Sequence, residues 1–221
     1  MGRCGLEPWS WWTESFRSLC IRKDGGRFVW FPTVDAENDA LYKKKHASQQ
    51  GLGNANEQPI RKNKIRILDE QGVLIPEVKE ILQQVKAFNM VLATGHIAVQ
   101  ESLALVRAAA AMGIQKILVN HVSLPITNAS LALQKEYIDN GAMVEHCYYT
   151  PMVGLCSWEE IAESIRTLGP EHVILSTDLG QPANGSPVEG MEKFAEQLHS
   201  LGILEEELYQ MMAVNPERLL S

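Results

Sequence analysis

A chain of 221 residues is long enough for one α/β domain with a sizeable core. Its net charge of −7 and pI of about 5.4 argue against the broad basic face of a nucleic-acid binder. No apolar run reaches the length of a membrane span, and Glu7 and Glu14 interrupt any apolar signal core, so the expectation is a soluble cytoplasmic protein with no membrane partner. The basic clusters, Lys43 to Lys45 and Arg61 to Lys64, lie in a polar stretch and read as solvated loop. Cys4, Cys20, Cys147 and Cys156 have no CxxC spacing and read as free thiols in a reducing compartment.

Residues 1–26 stand apart from the rest. Three tryptophans fall in WSWW, Trp9 to Trp12. The stretch reads either as a terminal helix over Pro8 to Cys20 or as a segment foreign to the domain that follows. Arg27 to Pro32, RFVWFP, is an apolar and aromatic strand closed by proline, with Thr33-Val34-Asp35 at its carboxyl end. Ala36 to Asn63 is a long polar loop, helical around Asp39 to His46, of a length that belongs either to functional lids or to disordered segments. Ile65 to Leu68 reads as a short edge strand, and Asp69 to Gly72 as a turn. Pro76 opens a helix to Phe88 with Val78, Ile81, Leu82 and Val85 on one face.

The most informative stretch is Met90 to His121, which reads strand, helix, strand. Met90 to Thr94 and Ile117 to Val119 are short apolar runs. Val99 to Met112 between them has helical spacing, and Gly113 follows as a left-handed cap. Each strand ends in a histidine, Gly95-His96 and Asn120-His121. A right-handed crossover would make such strands parallel and bring both imidazoles to one carboxyl edge, where α/β folds collect catalytic groups. The pattern continues with Ala142 to Cys147, which contains Glu145-His146, and with His172 to Thr177, followed by Asp178. Thr127 or Asn128 is the expected cap of a helix reaching Asn140. Ser157 with Glu160 forms a capping box, Ser186 precedes Pro187 at the start of another helix, and a last helix covers Glu205 to Val214.

A lone histidine at a strand end is more often structural than a ligand. Two at equivalent positions favour a metal, because neutral imidazole is the commonest ligand of zinc-like ions. Asp178 is either a capping residue or a metal-bound carboxylate that takes a proton from water. Glu145 and His146 are adjacent, so a regular strand sends them to opposite sides. Glu145 is placed inside the site, with His146 as the alternative. Asp35 is either a turn cap or part of the substrate pocket, and Thr33 beside it belongs to the same pocket reading. Tyr148 and Tyr149 line a pocket mouth or pack as aromatics. Neither a phosphate loop nor a GxSxG elbow is present.

Taken in order, FVWFPTVDAEND, LATGH, ILVNH, VEHCY, ILSTDLGQ and the closing NPERLL resemble the amidohydrolase superfamily of metal-dependent hydrolases. The match covers roughly Arg27 to Leu220 and is with an uncharacterised bacterial branch. The resemblance implies an α/β fold of the TIM-barrel, (β/α)₈ hydrolase type, here partial, with about five parallel strands over residues 27–221 and an atypical segment at 1–26. It implies His96, His121 and Asp178 as metal ligands and Asp178 as the catalytic base. Glu145, His146, Thr33 and Asp35 would line the substrate pocket. The cofactor would be a divalent metal, zinc first, manganese or iron otherwise. Metal-activated water would then attack an amide, ester or phosphoester of a small-molecule substrate. The family's first-strand His-x-His pair has no counterpart here, and strands one to three of the barrel lack one too. Two alternatives follow from that: a catalytically dead or truncated barrel remnant that binds a small ligand or a partner, and a homo-oligomer that covers the open sheet edge.

Overall fold

The computed structural model describes residues 26–46 and 64–221, and these fall into two compact units that divide between Ile114 and Gln115. The expected Pro8 to Cys20 helix, Cys4, Cys20 and loop residues 47–63 lie outside the described residues.

In the first unit, β1 (Phe28–Trp30) pairs in parallel with β2 (Val91–Ala93), with Val29 opposite Leu92. The ladder runs on at both ends through Val91 N–H to Arg27 O at 2.8 Å and Phe31 N–H to Ala93 O at 2.8 Å. After β1 the chain turns at Thr33 and enters α1 (Glu37–His46), which carries acidic residues in its first turn and lysines in its last, in register with the helix dipole. The polar stretch therefore starts as helix. Helix α2 (Pro76–Ala87) has Pro76 at its start and buries Val78, Ile81, Leu82 and Val85, the stripe read from the sequence. Helix α3 (Val99–Ala111) follows β2, and Gly113 past its end has φ 77°. The buried Glu101 carboxylate accepts from Ala98 N–H at 2.9 Å and from Ile67 N–H at 2.7 Å, which starts α3 and pins a neighbouring loop. The expected edge strand Ile65 to Leu68 is a correction: it makes only isolated bridges, Ala36 with Ile65 and Leu68 with Leu74, too short for a ladder.

In the second unit, β3 (Ile117–Val119), β4 (Met143–Cys147) and β5 (Val173–Ser176) form parallel pairs in sequence order. All five residues of β4 are buried, as expected of a central parallel strand covered on both faces. Helix α4 (Leu131–Asp139) starts later than the sequence suggests. Its cap is Ser130, whose hydroxyl accepts from Leu133 N–H at 3.3 Å. Thr127 is occupied elsewhere, its hydroxyl donating to the carbonyls of His121 and Leu124. A single helical turn, α5 (Tyr149–Met152), leads to α6 (Trp158–Leu168), which starts at the Ser157–Glu160 capping box as read and buries Ile161, Ala162 and Ile165. Helix α7 (Pro187–Ser200) buries Phe194 and Leu198; Ser186 precedes it without a side-chain cap. Tyr148, Trp158 and Phe194 cluster with ring centroids 5.7–5.9 Å apart, so Tyr148 packs as an aromatic.

The chain closes with α8 (Glu205–Tyr209), a π-helical turn at Gln210–Val214 and α9 (Asn215–Leu220). Asn215 explains the irregular turn. Fully buried, it donates to Pro170 O at 2.7 Å and Val173 O at 2.6 Å, and accepts from Gln210 Nε2 at 2.7 Å. No helix among the described residues is long and apolar enough to cross a membrane.

Candidate functional site

In the first unit the carboxyl ends of β1 and β2 are tied together. His96 N–H donates to Pro32 O at 2.9 Å, and Asn38 Nδ2 donates to His96 O at 3.1 Å. Gly95 makes this approach possible: its φ is 63°, and a Cβ there would lie against Phe31 O and 2.7 Å from Pro32 O. The His96 ring faces the buried Asp39, with Nδ1 and Oδ1 3.2 Å apart, and Asp39 Oδ2 meets Lys43 Nζ at 2.7 Å. Burial alone would raise the Asp39 carboxyl. The hydrogen bonds from His96 and Lys43 outweigh it and hold the group below its ordinary range. A carboxylate behind a histidine sets its ring orientation and tautomer, the support that ligand imidazoles usually have. Asp39 falls within the FVWFPTVDAEND motif, yet nothing in its spacing marked it as the partner of His96. Thr33 and Asp35 are half-buried in the turn after β1, and the Asp35 carbonyl accepts from Ile65 N–H at 2.9 Å.

In the second unit the cluster gathers at the ends of β3 and β4. His121 takes a left-handed backbone, φ 54°, at the β3 exit. That conformation costs a non-glycine residue about 1 kcal/mol and persists only where surroundings enforce it. Leu124 N–H bonds to His121 O at 2.8 Å, Val122 N–H to Glu145 O at 3.1 Å, and Thr127 adds its hydroxyl to the same turn. The His121 ring is thereby aimed at β4. Its Nδ1 lies 3.8 Å from Glu145 Oε2 and 3.1 Å from Cys147 Sγ. Glu145 and Cys147 are two apart on β4 and so share a face. Asn120 Nδ2 donates to Glu145 Oε2 at 2.8 Å, and Ser176 Oγ lies 3.1 Å from Cys147 Sγ. One nitrogen, one carboxylate oxygen and the sulfur thus all lie within 4.8 Å of one another. Imidazole, carboxylate and thiolate are the donors zinc-like ions use, so the residues fit a divalent metal. Burial first, then the charge of Glu145, pushes the Cys147 thiol well up, and the Asp178 carboxylate adds to this.

Asp178 itself is exposed, with φ 54° at the β5 exit, and lies outside that three-residue cluster. His146 faces the opposite side of β4 from Glu145. It is fully buried, with Nδ1 2.5 Å from Ser123 Oγ and Nε2 3.0 Å from Ser164 Oγ, and the Ser164 hydroxyl passes on to Gln134 Oε1 at 2.9 Å. Burial pushes this imidazole down to about 4, so it is uncharged at neutral pH. The structure therefore brings together His121, Glu145 and Cys147, and separates His146 from them. Sequence reasoning missed Cys147. The available signal was its two-residue offset from Glu145 on one strand.

These elements define an α/β fold of the TIM-barrel type, in part: the described residues hold two parallel strands in one unit and three in the other, against eight in a full barrel. The chain belongs to a family of unknown function, DUF6282, whose model matches residues 19–145. No curated protein sequence matches it. Among solved structures it is similar to an organophosphorus hydrolase from Deinococcus radiodurans, at 20% identity and TM-score 0.54, over 67% of this chain and 52% of that one. An amidohydrolase from Mycoplasma synoviae matches at 15% identity and TM-score 0.53, over 94% of this chain and 71% of that one. A phosphotriesterase homology protein from Escherichia coli, with phosphate in its active site, matches at 18% identity and TM-score 0.53, over 94% and 79%. The chain thus spans about half the length of the organophosphorus hydrolase, and identities this low establish the fold.

Proposed function

We propose that this protein is a metal-dependent hydrolase of the amidohydrolase type, acting on an amide, ester or phosphoester of a small molecule. The observation that carries the reading is the convergence of the His121 imidazole on the buried Glu145 carboxylate at the exits of two parallel strands. In a fold of this type, that rim is where catalytic groups stand. A bound zinc-like ion would supply Lewis acidity and bring the pKa of water toward neutrality. His121 would hold it. The resemblance adds Asp178, in the same unit, as a ligand.

The chain's own groups divide the remaining work. Asp39 fixes the His96 ring, so that a single tautomer is presented. Asn120 holds the Glu145 carboxylate in place through its amide. Asp178 stands exposed at the β5 exit, and in this reading it is the base that accepts a proton from the attacking water at a carboxylate oxygen. Thr33 and Asp35 are assigned to the substrate pocket on the resemblance.

The test joins metal content to turnover. Metal-free protein is loaded with zinc, manganese or iron and assayed on aryl amides, lactones, aryl esters and phosphotriesters. The expected result is about one equivalent bound and hydrolysis that a chelator abolishes. His121→Ala should lose both while keeping its circular dichroism spectrum. Full metal uptake by His121→Ala, or no turnover by the loaded protein on any of these amide and ester classes, would remove the reading.

A further inference from the structure

We propose that Cys147 supplies a sulfur ligand, beside His121 and Glu145, to the divalent metal of this protein. The inference deepens the hydrolase reading and rests on it for the presence of a metal; the resemblance does not assign this sulfur.

The argument begins from what surrounds the sulfur. A buried cysteine that only packs sits among apolar side chains and behaves as a small hydrophobe. Cys147 is 1% exposed, yet its Sγ faces an imidazole nitrogen at 3.1 Å and a hydroxyl at 3.1 Å, with the Glu145 carboxylate on the same strand face. Imidazole nitrogen, carboxylate oxygen and sulfur are the donors that zinc-like ions take, and the spacing suits one ion: the three donor atoms lie within 4.8 Å of one another.

The supporting partners agree. Asn120 on Glu145 and Ser176 on Cys147 are placed as the outer groups that orient ligands. The left-handed turn at His121, closed by Thr127, holds the third donor against β4. Selectivity follows from the sulfur. A nitrogen, oxygen and sulfur set favours zinc and cobalt over magnesium, calcium or manganese, which prefer oxygen.

The experiment reads the ligand atoms. X-ray absorption on the zinc-loaded wild-type protein should show a sulfur shell at about 2.3 Å. Cobalt loading should give a near-ultraviolet thiolate charge-transfer band that Cys147→Ser loses and Cys156→Ser keeps. Ser176→Ala should keep the band and weaken zinc binding about 10–100-fold, the cost of an outer partner. A metal-loaded wild-type protein with no sulfur shell overturns the proposal. So does a band that survives in folded Cys147→Ser. The wild-type shell decides the matter even if the variant fails to fold. Hydrolysis without sulfur in the shell removes this inference alone. Sulfur in the shell with no turnover on any of the amides and esters removes the hydrolase reading and leaves the site.

Discussion

Acid should destabilise the second unit through His146, and the size of the effect follows from its burial. The ring has no solvent exposure, and burial lowers it from the ordinary 6.5 to about 4. Because its folded value lies below its unfolded one, protons bind the unfolded chain more tightly. The contribution to stability is complete above the unfolded value and is lost as pH falls toward the folded one. The gap corresponds to about 3 kcal/mol when fully expressed, and about 2 kcal/mol of it is gone by roughly pH 5. Carboxylates titrate in the same range, so the effect is read as a difference between two proteins. His146→Gln removes the titration while keeping an amide donor and acceptor for Ser123 and Ser164. Urea unfolding of both proteins, in chelator, is followed from about pH 8 to pH 5. The wild-type advantage over His146→Gln should shrink by about 2 kcal/mol across that range. A difference that stays constant to within about 0.5 kcal/mol would mean that His146 is protonated in the fold as easily as in water, and that the neutral Ser123–His146–Ser164 chain is wrong.

Two further substitutions test the frame around the site. Asn215→Ala removes three hydrogen bonds of one buried side chain, to Pro170 O, Val173 O and Gln210 Nε2. It should cost about 3 kcal/mol and lower the thermal midpoint by roughly 6–12 °C; an unchanged midpoint would refute the anchoring role. Gly95→Ala places a Cβ against the carbonyls of Phe31 and Pro32 at a left-handed position. It should open the β1–β2 exit and speed proteolysis of the first unit; a digestion pattern matching wild type would show that the close approach is not required.

The strands were legible because each is a short apolar run bounded by polar or glycine residues, and β3 matches its expected bounds, Ile117–Val119. Helix starts were legible where a side chain does the capping in sequence, as at Ser157. They were misread where tertiary demand took the residue, as with Thr127, whose hydroxyl holds the His121 turn and leaves Ser130 as the cap. The same limit applies to the site. Alternation along β4 foretold that Glu145 and His146 part company, since that follows from strand period alone. It equally placed Cys147 beside Glu145, but thiols in strands are ordinarily packing residues, so the offset carried no chemical weight until His121 was seen to bend toward it. Asp39 was illegible for a related reason. Its partner lies 57 residues away, and the link depends on α1 folding back over the exit of β2. What sequence pattern supplies is therefore the facing of each donor on its own strand. Which donors meet is decided by the turns after the strands, and those turns are held by residues, Thr127 and Gly95, whose roles are set by carbonyls that no local pattern reveals.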